Sequence, residues 1–192
     1  MASILGPELV LFYSSAFVKR PRDGKHVDWH QDNTYWSTVT GHDVVTVWLA
    51  LDDVDEGNAC MQVIPGSHRG HDAKSMKEVA ARNGAMLTQE VDVTEAEIAT
   101  AVPVVLKAGA FSIHDSFLLH GSGPNDSDRR RAGYTIRYGY ALTTAIRQAE
   151  HRYGNHPPLP IYYVRGTGAG MRDGYVDARS NGSWAVDHTP WT

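Results

Sequence analysis

The sequence predicts an all-β-dominated domain, and three observations carry that expectation. Short runs rich in β-branched and aromatic residues recur between turn signals, with 18 glycines and 9 prolines among 192 residues. Strands outnumber helices. The strand–helix–strand alternation of a parallel sheet is absent, so an antiparallel sandwich or barrel is expected. The length fits one domain, spanning 1–192 with a core at about 9–145 and an irregular C-terminal arm at 146–192. Such a chain buries roughly 70% of its unfolded surface and needs no staple to fold.

In chain order, 9–19 (LVLFYSSAFVK) reads as the first strand, with Tyr13, Ser15 and Phe17 on its inner face. Val44 to Leu51 (VVTVWLAL) is the clearest strand, bounded by Asp/Gly clusters, and places Thr46, Trp48 and Ala50 on one face. Met61 to Ile64 stops at the Pro65-Gly66 turn signal. Val102 to Leu106, Ala110 to His114 and Leu118 to His120 are further short strands, and Tyr134 to Thr143 is an alternating aromatic one. A helix is expected over Asp72 to Asn83 from its apolar spacing. Another is expected over Thr94 to Ala101, where Thr94 and Glu97 form a capping box.

Composition removes several function classes. The charge is −4, and one three-arginine cluster makes no basic footprint, so no nucleic-acid partner is expected. No apolar run approaches the ~20 residues of a membrane span. Cys60 stands alone, and Met1-Ala2-Ser3-Ile4 begins no secretion signal, so the expected location is cytoplasmic.

The histidines are informative. In an extended Trp29-His30-Gln31-Asp32, the side chains of His30 and Asp32 share a face. Joined by a further imidazole they would form a 2-His-1-carboxylate facial triad for non-haem Fe(II); alone they read equally as a surface pair in a turn. His120 ends an apolar strand before Gly121-Ser122-Gly123-Pro124, at a barrel mouth or merely capping a carbonyl. Arg131 starts the Tyr134 strand eleven residues on. Inside a barrel it would need an anionic partner, which a carboxylate ligand supplies bidentately; in a loop it would be solvated like Arg129 and Arg130. His114 is adjacent to Asp115, and only one of the two can face inward.

The ordered set of His-x-Asp, a second histidine about ninety positions later and then Arg131 resembles the phytanoyl-CoA dioxygenase family of Fe(II)/2-oxoglutarate-dependent oxygenases, which includes ectoine hydroxylase. The likeness extends through Val47 to Asp53, Val63-Ile64-Pro65-Gly66-Ser67-His68, His120-Gly121-Ser122 and Tyr163-Val164-Arg165-Gly166. It implies a double-stranded β-helix, a jelly-roll or cupin-like barrel, with a few short helices. His30, Asp32 and His120 would be the catalytic metal ligands for Fe(II). Arg131 and Ser122 would hold the distal carboxylate of the cosubstrate 2-oxoglutarate, and Trp48, Tyr13 and Phe17 would border it. Gln31, Tyr35 and Trp36 would meet the primary substrate, with O2 as the other cosubstrate. The expected reaction hydroxylates a C–H bond of a small organic molecule and yields succinate and CO2. Asp32, rather than a small residue, favours hydroxylation over halogenation. A 2-oxoglutarate-independent cupin-like metal-binding protein would share the barrel and histidines but need no Arg131, whereas a non-catalytic binding protein would keep the barrel and bind the cosubstrate without turnover.

Two departures from the family stand out. Asn58-Ala59 replaces the usual Asn-Gly, which disfavours a turn needing positive φ at the second residue. The N-terminal helical region that normally covers one sheet face is missing from this sequence, which suggests a fragment, a minimal variant, or association of copies through the bare face, a homo-oligomer.

Overall fold

A computed structural model describes residues 1–36, 39–78, 84–87, 89–146 and 160–179. Fourteen strands are present among them: β1 (Leu9–Lys19), β2 (Val27–His30), β3 (Val39–Thr40), β4 (Val44–Ala50), β5 (Gln62–Val63), β6 (Met76–Glu78), β7 (Gln89–Val91), β8 (Val102–Pro103), β9 (Phe111–Asp115), β10 (His120–Ser122), β11 (Arg131–Tyr140), β12 (Ala145–Ile146), β13 (Ile161–Arg165) and β14 (Tyr175–Asp177). Helix is confined to α1 (Ala2–Leu5), α2 (Glu95–Ile98) and 3-10 turns at Asp32–Tyr35 and Glu56–Asn58.

The larger sheet runs β14-β13-β1-β11-β4-β9, and the smaller β2-β10-β5-β8. Both are antiparallel apart from the β13–β14 pair. Their inner faces meet in one cavity, the architecture of a double-stranded β-helix. Three clusters pack around it: Val10, Phe12, Val44, Ile161 and Tyr163 at one end, Trp48, Ala50, Val54 and Cys60 at the other, and Ile64, Val91 and Leu119 under the smaller sheet.

The first strand changes face midway. Its register with β11 slips between Leu11 and Tyr13. Val10 and Phe12 therefore enter the core ahead of the bulge, whereas Ser15 and Lys19 turn inward beyond it, leaving Ser14 and Ala16 exposed. Of the expected inner face, Phe17 lines the cavity and Ser15 is half-buried, whereas Tyr13 is exposed. On β11 the alternation is regular: Arg131, Gly133, Thr135 and Arg137 are all buried on the inner side, and Tyr134 faces out.

Several expectations need correction. Asp72 to Asn83 is not a helix where it is described: Met76–Glu78 is a strand paired with β7, and 79–83 lie outside the described residues. Methionine and alanine there matched a helical period, but a cross-strand partner decides the conformation. The second helix is real but short, and Thr94 and Glu97 cap it reciprocally as expected. The C-terminal arm is less irregular than its composition suggests. Tyr163 and its neighbours add β13 to the free edge of β1, and β14 follows in parallel. His151, His156 and His188 fall outside the described residues. Among the described residues no helix is long and apolar enough to cross a membrane.

Candidate metal centre and its cavity

His30 ends β2 and His120 begins β10, and these residues sit directly opposite each other across the antiparallel pair. The pairing brings the ring centroids to 4.0 Å. Each ring bonds through Nδ1 to the carbonyl two residues earlier: His30 to Asp28 at 2.8 Å and His120 to Leu118 at 2.9 Å. A carbonyl only accepts, so Nδ1 carries the proton and Nε2 keeps its lone pair. Both Nε2 atoms point at Asp32 Oδ1, at 3.8 and 3.9 Å. One ligand atom from each of the three lies within 4.8 Å of the other two.

Electrostatics set the protonation the trio needs. Burial pushes the His30 imidazole below its usual range and that of His120 well below, so both are neutral near pH 7. Burial alone would raise the Asp32 carboxyl. The Arg137 guanidinium, chief among the neighbouring groups, outweighs it and holds Asp32 well below the carboxylate range. Thr46 donates to Asp32 Oδ2 at 2.5 Å, fixing the carboxylate. Two neutral imidazoles and one carboxylate, all 5–7% exposed, form a donor set suited to a divalent transition metal with open positions.

Around the trio lies a small cavity of about 40 Å3. Arg131 lines it, 3% exposed, with its guanidinium 5.2 Å over the Trp48 ring. The Ala59 carbonyl accepts from Arg131 Nε at 3.0 Å. Ala59 is the residue at the Asn58-Ala59 departure, and it does adopt the left-handed conformation (φ 63°, ψ 56°) that glycine would take without strain. Trp48 lies flat because Gly133 faces it; a Cβ at 133 would fall 2.0 Å from the Trp48 ring. Phe17 and Ser122 also line the cavity.

Ser122 has a partner the sequence reading missed. Lys19, fully buried, donates from Nζ to Ser122 Oγ at 2.6 Å, the Ser122 carbonyl at 3.1 Å and the Gly123 carbonyl at 2.5 Å. Burial and the nearby Arg131 charge pull its ammonium down to about 7.

The expected substrate residues divide. Tyr35 packs edge-on against His30 at 5.8 Å, and Trp36 packs against Phe12 at 5.2 Å and beside Arg137. Gln31 does not face the site. Its amide donates to the Asp72 and Phe117 carbonyls and accepts from the Lys74 N–H, tying the 72–74 loop to the metal-side strand. It is one position out of phase with its neighbours on an extended segment, which is why it points away. Tyr13 stands at the rim, 40% exposed.

Of two further inward residues, His114 is the member of the His114-Asp115 pair that turns in, and Arg137 went unread in the sequence. His114 pairs opposite Thr46 on β9, and its Nε2 is 3.6 Å from Asp32 Oδ2. Its partner in the His114-Asp115 dipeptide points outward and caps Phe117. Arg137 lies six positions along β11 from Arg131, and that even spacing was the available signal.

A family model described as phytanoyl-CoA dioxygenase (PhyH) matches residues 1–133. Over 139 residues the chain is 33% identical to a probable alpha-ketoglutarate-dependent hypophosphite dioxygenase of Stutzerimonas stutzeri, covering 70% of this chain and 46% of that protein. Over 132 residues it is 34% identical to phytanoyl-CoA dioxygenase domain-containing protein 1 of Danio rerio, covering 66% and 44%. Among solved structures, the apo form of the non-heme monooxygenase ThoJ superposes with a TM-score of 0.68 at 30% identity, covering 91% of this chain and 58% of that one. EvdO2 of Micromonospora carbonacea var. aurantiaca, complexed with 2-oxoglutarate, superposes at 0.61 and 25% identity, covering 74% and 56%. The chain spans about half the length of the curated relatives it matches. With 1–133 matched and the histidine–carboxylate trio in place, the chain belongs to the phytanoyl-CoA dioxygenase family.

Proposed function

We propose that the chain is an Fe(II)- and 2-oxoglutarate-dependent oxygenase that hydroxylates a C–H bond of a small organic molecule, releasing succinate and CO2. The observation that carries this reading is the convergence of His30 Nε2, His120 Nε2 and Asp32 in a cavity that also holds the buried cation Arg131. Relatives named as dioxygenases, one of them alpha-ketoglutarate-dependent, support it.

In this reading His30, Asp32 and His120 hold Fe(II) through three ligand atoms on one side. Iron bound there would supply O2 activation coupled to decarboxylation of the cosubstrate. Every other role belongs to the protein. Arg131, oriented by the Ala59 carbonyl and the Trp48 face, pairs with the distal carboxylate of 2-oxoglutarate, and its guanidinium fork matches that group. Ser122 donates its hydroxyl proton to the same carboxylate while accepting from Lys19. Trp48 and Phe17 wall the cosubstrate from water, and Tyr13 closes the rim. Tyr35 and Trp36 border the primary substrate. Thr46 keeps the Asp32 carboxylate from rotating off the metal.

Incubation with Fe(II), 2-oxoglutarate and O2 should produce succinate. Asp32→Ala should abolish it, and Arg131→Gln should weaken 2-oxoglutarate binding about ten- to a hundred-fold, the range for losing a charge-assisted hydrogen-bonded pair. Undiminished succinate formation by Asp32→Ala would overturn the assignment.

A further inference from the structure

Arg137 has so far been assigned only an electrostatic influence on Asp32, yet it is 5% exposed and lines the same cavity as the trio. A guanidinium carries five N–H donors and is costly to bury unpaired. Here Nη1 donates to Thr135 Oγ1 at 2.8 Å and to Ser15 Oγ at 3.3 Å. Nη2 lies 3.7 Å from Asp32 Oδ1, beyond hydrogen-bond reach. Nε is buried and has no partner among the described residues. Neutral hydroxyls thus answer part of the fork, and the rest is unanswered.

Its surroundings point to an anion. The guanidinium carbon lies 5.0 Å from the Tyr13 ring centroid and 5.5 Å from that of Trp36, so aromatic faces hold it on two sides. Asp32, the nearest carboxylate, is a member of the metal trio. Once the two charges of 2-oxoglutarate are set against Arg131 and the divalent ion beyond Asp32, Arg137 remains an unbalanced buried cation. Lys19, the other buried cation, is answered by three oxygens of Ser122 and Gly123. Arg131 and Arg137 are six residues apart on one strand face, about 20 Å between backbone positions. One stretched five-carbon diacid reaches from Arg131 to the trio and leaves Arg137 on the far side. Tyr13, beside Arg137, is 40% exposed, so this end is the one that opens to solvent.

We infer that Arg137 is the anion-binding residue of the primary-substrate subsite, and that the substrate is a small acid bearing a carboxylate or a phosphorus oxyanion. The inference rests on the oxygenase reading for the identity of the cosubstrate at Arg131. The oxyanion geometry would engage Nε and Nη2 together, with Tyr13 and Trp36 flanking the rest of the molecule.

The test uses the full chain, 15N-labelled, with Zn(II) standing in for Fe(II). The Nε–Hε resonance of Arg137 is assigned in wild-type protein, additionally labelled with 13C, through its side-chain connectivities to the Arg137 backbone, and its loss in Arg137→Lys checks the assignment. In wild-type protein saturated with 2-oxoglutarate, adding benzoate or phosphite should move that resonance downfield, whereas 2-oxoglutarate alone should leave it in place. By calorimetry, Arg137→Gln should weaken benzoate or phosphite binding about ten- to a hundred-fold and leave 2-oxoglutarate affinity within about two-fold. A shift produced by 2-oxoglutarate alone assigns Arg137 to the cosubstrate's own carboxylate and overturns the inference. So does a resonance that neither probe moves while 2-oxoglutarate is bound. If the probes shift Arg137 but 2-oxoglutarate never binds, the anion subsite stands and the oxygenase reading falls. The wild-type arm needs no variant to fold.

Discussion

Single residues decide whether the site can assemble, and Ala59 shows how. It occupies a left-handed turn position and presents the carbonyl that orients Arg131. An L side chain there costs about 1 kcal/mol relative to glycine. Ala59→Gly should therefore raise unfolding stability by about 1 kcal/mol in a urea titration. A loss of stability would mean that the alanine methyl, 9% exposed, packs for more than its backbone strain. The same turn explains why the departure from Asn-Gly leaves the arginine in place: the conformation is retained, and only its ease is lost. His30 and His120 illustrate the complementary case. Each binds a carbonyl two residues earlier on its own chain, so tautomer and ring direction follow from local backbone rather than from distant packing. In the sequence, their reading as candidate ligands rested on the His-x-Asp spacing and on the family resemblance, not on these local bonds. Arg137 went unread, because an arginine on an alternating strand looks the same from sequence whether the strand faces water or a cavity.

At the scale of elements, the β2–β10 rung and the long β1–β11–β4 sheet divide the labour. The rung brings together imidazoles ninety positions apart, and the sheet supplies Arg131, Trp48 and Arg137 from the opposite side. Strands with strong β-branched runs were legible, as in β4. β6 (Met-Lys-Glu) was not, because its local preference is weak, and β13 was not because its Ile-Tyr-Tyr-Val run sits in Pro- and Gly-rich surroundings that read as an irregular arm. β13 is held at its far end by Glu8, just ahead of β1. Glu8 accepts from the Thr167 N–H at 2.7 Å and the Thr167 hydroxyl at 2.9 Å, and also from the Tyr163 hydroxyl. Gly166 is obligatory there, since a Cβ would sit 2.2 Å from the Tyr163 hydroxyl. Those donors, the Thr167 backbone first and Tyr163 next, pull the Glu8 carboxyl from 4.5 down to about 2. The folded state thus holds Glu8 ionised where the unfolded state would already be protonated. Its contribution is complete above about pH 4.5 and is lost as pH falls toward 2. Between pH 5 and 2.5, Glu8→Gln should lose less stability than wild type; parallel pH profiles for the two would contradict the linkage.

Across the molecule as a whole, two sheets meet on a cavity that holds the histidine–carboxylate trio with a buried arginine on each side. Fold and trio were legible because they depend on order and spacing along the chain. Which residues line the cavity beyond them depends on the bulge in β1 and on Gln31 turning away, features set by pairing register and loop bonds that no periodicity records. The relation of trio to Arg131 can be read directly. Under anaerobic conditions, adding Fe(II) and then 2-oxoglutarate to the intact chain should develop the weak visible metal-to-ligand charge-transfer band of a chelated 2-oxo acid. It should saturate at one equivalent and be absent in Asp32→Ala. No band in wild-type protein that demonstrably binds both, or an undiminished band without Asp32, would contradict the account.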